Sequence, residues 1–167
     1  MKGKIVAVIG ACVILAATSV SAVTRPNFTG VWVMDPSRSL SIPAGLQQTM
    51  TVTHAGDQVT VENKIASPQG ERTFTDIFTL DNKEAEFTPQ TLRGPAPQKG
   101  KRKAYWLPDD KGIVVSEETK ADSPNGPVAS NQMRKWTLSS DGTTLTVDYY
   151  FDDQRGSFEA KRVYVKK

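Results

Sequence analysis

The sequence predicts an all-β domain, an antiparallel up-and-down meander of about ten strands that closes into a barrel. Three observations carry this. Apolar and polar residues alternate with period two through most of the chain, turn residues punctuate the runs at short intervals, and sustained helical periodicity is missing beyond the N-terminal apolar run. Consecutive short turns favour strands that pair in chain order over Greek-key crossings.

The N-terminus reads as an export signal. Lys2 and Lys4 form a short positive region, Ile5 to Ala17 supply an apolar run, and Val20-Ser21-Ala22 offers small residues for cleavage. The apolar run is short for a transmembrane helix. Residues 1–22 are therefore expected to be removed, leaving Val23 to Lys167 as one secreted or periplasmic domain without an integral membrane segment. The 21 basic residues lose Lys2 and Lys4 with the leader, which brings them within one of the 18 acidic residues, so net charge gives no reason to expect nucleic acid. Cys12, the only cysteine, leaves too, and the mature chain has no disulfide, thiol nucleophile or cysteine metal site. His54 is the only histidine, so a histidine metal site or a Ser-His pairing would hang on one residue. It reads as a strand-end surface residue. No metal and no cofactor are expected.

The strands follow in order. Asn27 to Asp35 alternates Phe28, Gly30, Trp32 and Met34 against Thr29, Val31 and Val33, with Gly30 marking a bend or a close backbone approach and Trp32 placed to plug one barrel end. Pro36 to Gly45 holds two prolines and leaves room for one helical turn at most. Met50 to His54 and Gln58 to Glu62 flank Ala55-Gly56-Asp57 as strand, turn, strand. Pro68-Gln69-Gly70 turns the chain into Arg72 to Leu80, where Phe74, Phe78 and Leu80 share a face, and Asp81-Asn82 turns it into Ala85 to Thr88. Pro89 to Gly100 reads as a long loop or lid. Lys101 to Leu107 and Ile113 to Lys120 are strands around Pro108 to Gly112, and a second loop, Asp122 to Pro127, leads into Val128 to Leu138. Asp141-Gly142 between alternating runs is a strong hairpin signal into Thr143 to Val147. Asp152 to Gly156 makes the last turn before the final strand, Ser157 to Val165.

Two ends of this chain resemble the calycin superfamily, the lipocalins and fatty-acid-binding proteins. Phe28-Thr29-Gly30-Val31-Trp32-Val33-Met34 is similar to their opening strand, and Lys161-Arg162-Val163-Tyr164 to the Arg-x-Tyr closing strand of fatty-acid-binding proteins. The stretch Trp136 to Leu145 resembles exported bacterial lipocalin-like proteins that mostly lack an assigned activity. The resemblance implies a barrel with a lumen in which Arg162 and Tyr164 would meet a ligand carboxylate. One departure is clear: Pro36 to Gly45 is too short for the two-helix lid of fatty-acid-binding proteins.

Strand parity identifies inward residues without the resemblance. Phe158, Ala160, Arg162 and Tyr164 share a face, Trp136 and Leu138 carry Gln132 and Arg134 with them, and Trp106 and Ala104 carry Arg102. Three guanidinium groups thus point toward one lumen, and buried charge requires carboxylate partners or an anionic ligand. Both remain open at this point. Arg162 either reads a ligand or stacks on Trp32 to close the barrel, and Asp76 and Glu117 share apolar faces from which they could neutralise Arg102 or Arg134. Lys99, Lys101, Arg102 and Lys103 either attract an anionic partner or guard a strand edge.

The expected function is binding, without catalysis, of a small hydrophobic or amphipathic ligand, with or without an acidic group. Trp32, Trp136, Phe74, Phe78 and Tyr149 are the expected apolar contacts, and Arg134, Arg162 and Tyr164 the polar ones. The alternative is a filled barrel that acts on a partner through its loops or a sheet edge. Oligomeric state has no signature in the sequence.

Overall fold

Alternation is answered by strands at each place where it was read. The computed structural model describes residues 25–89, 99–121, 128–154 and 156–167, which form ten strands. These are β1 (Gly30–Met34), β2 (Gln47–Ala55), β3 (Gln58–Ser67), β4 (Gly70–Thr79), β5 (Glu84–Phe87), β6 (Gly100–Trp106), β7 (Gly112–Ala121), β8 (Val128–Leu138), β9 (Thr144–Asp153) and β10 (Gly156–Lys166). The leader lies outside the described residues, as do 90–98 of the expected lid and all of the expected loop at 122–127.

Every hydrogen-bonded pair is antiparallel, and the strand order is β4-β3-β2-β1-β10-β9-β8-β7-β6-β5. Strands consecutive in the chain are thus neighbours in the sheet, with β4 and β5 as the exception. The pairing of β1 with β10, in which Met34 faces Tyr164, joins the two ends of the meander. The edge strands β4 and β5 have no ladder between them, so the curled sheet carries one seam. Between β1 and β2 lies a single 3-10 turn, Pro36–Arg38, capped by the Asp35 carboxylate that accepts from the Ser37 amide. That fits the room the prolines leave.

The barrel core follows the inward parity. Met50 and Val52 of β2, Val59, Val61 and Ile65 of β3, Phe78 of β4, Ala104 of β6 and Leu145 and Val147 of β9 are buried. One end is plugged by the segment that precedes β1. Phe28 is fully buried, its ring edge-on to Trp136 at 6.0 Å and 5.7 Å from the imidazole of His54. Trp32 is also fully buried and donates its indole N–H to the Phe28 carbonyl at 2.9 Å. His54 is therefore half-buried against the plug rather than a surface strand end, because the chain before β1 folds across it.

Candidate functional site: a polar belt in the barrel lumen

Above the plug the barrel encloses a cavity of about 370 Å³. Met50, Val61 and Trp136 line its lower part, and Phe74, Phe87 and Phe151 come from strand positions nearer the opposite end. Between these apolar zones runs a belt of polar side chains with two separate arrangements.

The first is a closed ion cluster. Parity turns Asp76 of β4, Arg102 of β6, Glu117 of β7 and Arg134 of β8 inward, and register puts Arg102 directly across from Glu117. Arg102 donates from Nη1 to Asp76 Oδ1 at 2.6 Å and from Nη2 and Nε to Glu117 Oε1 at 2.6 and 2.7 Å. Arg134 reaches Asp76 Oδ2 at 3.1 Å and Glu117 Oε1 at 2.5 Å. Each arginine touches both carboxylates, all four side chains are between 9 and 13 % exposed, and the formal charges cancel. Burial alone would raise the Asp76 pKa, yet the guanidinium groups of Arg134 and Arg102 outweigh it and hold the carboxyl below its ordinary value. Burial likewise opposes the charge on Arg134, which Glu117 and Asp76 more than restore. Arg102 also stacks on Phe87 at 4.0 Å and donates to the Ile77 carbonyl at 3.0 Å.

The second arrangement has no carboxylate. Arg162 of β10 donates from Nη1 to Gln48 Oε1 at 3.0 Å and to the Tyr149 hydroxyl at 3.2 Å, with its guanidinium over the Tyr149 ring at 4.6 Å. Tyr164 donates its hydroxyl to the same Gln48 oxygen at 3.0 Å. Gln48 in turn donates from Nε2 to Asn63 Oδ1 at 2.8 Å, and Asn63 donates to the Val61 carbonyl at 3.3 Å. Among the described residues Arg162 meets no carboxylate, and its Nε is buried without a partner. Burial pushes the Tyr164 hydroxyl well above its ordinary pKa, so it stays a neutral donor.

Of the residues singled out in the sequence, Arg134, Arg162, Trp136, Phe74 and Tyr149 line the cavity. Trp32, Phe78 and Tyr164 are buried outside its wall: Trp32 under the ammonium of Lys166 at 5.3 Å, Phe78 edge-on to Trp136 at 6.1 Å, Tyr164 tied to Gln48. The stacking of Arg162 on Trp32 does not occur, because Lys166 takes that ring and Arg162 takes Tyr149. Internal neutralisation by Asp76 and Glu117 does occur, and it serves both Arg102 and Arg134. Gln48 and Asn63 were not anticipated. Parity extended backward from Met50 and Val52, and across Val61 and Ile65, would have turned both inward.

No protein-family model matches this sequence, and no curated protein is similar to it in sequence. Solved structures are similar in shape. The zebrafish ileal bile acid-binding protein complexed with cholic acid superposes with a TM-score of 0.55 at 16 % identity, over 84 % of this chain and 98 % of that one. A secretary abundant heat soluble protein from Ramazzottius varieornatus superposes with a TM-score of 0.54 at 17 % identity, over 86 % and 98 %. The ten-strand meander with its paired first and last strands is a calycin-type fold, the one these two structures share.

Proposed function

We propose that this protein is an exported carrier that holds a small amphipathic molecule with one acidic group in the barrel lumen and performs no reaction on it. The observation that carries the reading is Arg162, a cation in the wall of a 370 Å³ cavity whose acceptors among the described residues are neutral. A cavity of this size falls in the range of small-molecule sites, where a few convergent polar groups orient an apolar ligand. The flanking Phe74, Phe87 and Phe151 supply apolar surface for a hydrocarbon body, and a guanidinium is well shaped for a carboxylate or similar anion. The cavity also weighs against the filled barrel. Two facts support binding over catalysis: one of the solved structures of like shape is named for binding bile acid, and the Asp76 carboxyl is held below its ordinary pKa whereas a general acid would need it raised. Export rests on the leader, and an exported form beginning at Val23 is what mass spectrometry should find; one retaining Met1 to Ala22 would sink that part.

Titration with 11-(dansylamino)undecanoic acid tests the lumen. Saturable binding near micromolar is expected, weakened at least about tenfold in Arg162→Met because a charge-assisted contact is lost. A well-folded protein that leaves the probe unbound would overturn the reading.

A further inference from the structure

The polar belt solves the same physical problem in two ways. Arg102 and Arg134 are buried beside carboxylates, whereas Arg162 is buried beside an amide. We propose that Gln48 is the specificity-determining residue of the lumen: by holding Arg162 through a neutral oxygen, it reserves that charge for a monoanionic ligand and sets the preference for an acid over its neutral analogue. This deepens the proposed function and rests on it.

Gln48 is 5 % exposed on the inward face of β2, in line with Met50 and Val52, a position where an apolar residue would avoid the cost of burying an amide. Its hydrogen bonds show what the amide does there. The oxygen accepts from both Arg162 and Tyr164, and the nitrogen donates to Asn63, which leaves the amide in a single orientation with its acceptor toward the cation. A glutamate at this position would accept the same two donors with nearly the same shape. It would also neutralise Arg162, as Asp76 and Glu117 neutralise the other two arginines.

With the amide in place, the three lumenal arginines and two carboxylates sum to one positive charge, located at Arg162. A ligand with one anionic group cancels it, a neutral analogue leaves it uncompensated in a partly desolvated wall, and a dianion overshoots. Gln48 thus determines ligand charge through its neutrality, by leaving the charge of Arg162 uncancelled.

The test compares 11-(dansylamino)undecanoic acid with its methyl ester on the wild type, Gln48→Glu and Gln48→Met. The wild type should prefer the acid by at least about tenfold. In Q48E that ratio should collapse toward one, with ester affinity unchanged or raised, because the new carboxylate neutralises Arg162 in place of the ligand's. Q48M adds no charge, so its ratio should stay within about threefold of the wild type even where both affinities fall, and it keeps the test decisive should Q48E not fold. A wild type that binds acid and ester equally, a ratio unmoved in a folded Q48E, or a ratio that collapses in Q48M each overturns the role of Gln48 while leaving lumenal binding intact. Failure of the wild type to bind either probe overturns both.

Discussion

Gly30 is where a single residue decides how the barrel starts. Its φ of +153° lies in a region open to glycine and strained for other residues, and a Cβ there would meet the Lys166 side chain at 2.7 Å. Lys166 is flexible and can give way; the backbone cannot. Gly30→Ala should therefore cost about 1 to 3 kcal/mol, seen as a lower urea midpoint with an unchanged slope. A midpoint equal to wild type would mean that β1 tolerates a relaxed conformation. Gly30 and Trp32 were legible in the sequence because an isolated glycine interrupts a strong alternation. Arg162 and Arg134 were legible for the same reason, since they share parity with Phe158 and Tyr164 or with Trp136. Asp76 and Glu117 were legible by the same parity as partners for Arg102 or Arg134, whereas the neutral acceptors of Arg162 were not. The acceptors arrive from β2, β4, β7 and β9, and a contact separated by 114 residues, as between Arg162 and Gln48, leaves no local trace. Gln48 is legible only by carrying parity back from Met50 and Val52, because Gln47-Gln48-Thr49 by itself is polar on both faces.

Among the elements, β4 is the one held by side chains instead of a ladder on its outer edge. It pairs with β3 only, and across the seam Asp76 contributes the carboxylate that reaches Arg102 on β6 and Arg134 on β8. The ion cluster therefore takes the place of backbone hydrogen bonds where the barrel fails to close. Arg102 adds a bond to the Ile77 carbonyl, a peptide group on that open edge. Asp76→Asn leaves two guanidinium groups to share Glu117, and breaking buried pairs in this way costs about 3 kcal/mol. The loss should be local as well as global: amide exchange in β4 should accelerate more than in β9, which is paired on both sides. Uniform acceleration in both strands would deny the seam role. Strand count and order were readable from turn residues, and Asp141-Gly142 forms the expected tight turn with Gly142 at φ +67°. The seam was not readable, since β4 has the same alternation as strands paired on both edges.

At the scale of the whole molecule, acid should loosen the barrel in two steps, because His54 sits against the plug and Asp76 at the seam. The His54 pKa is lowered from 6.5 by burial against Phe28, outweighing the nearby Asp57, so the unfolded chain binds that proton more readily. Folding is then favoured above pH 6.5 and loses part of its advantage as pH falls below it. The Asp76 carboxyl is depressed below 3.8, so its contribution is complete above that pH and disappears as pH falls through the folded-state value. The urea midpoint should accordingly be level from pH 8 to about 7, decline gently toward 5, and fall steeply below about 4. The two steps separate by substitution. His54→Phe keeps an aromatic ring beside Phe28 and should flatten the first decline, while Asp76→Asn should blunt the second from a lower starting midpoint. A wild-type midpoint that is constant down to pH 3 would show that neither the plug nor the seam senses protons, and it would remove the ion cluster as the clasp that keeps the lumen shut.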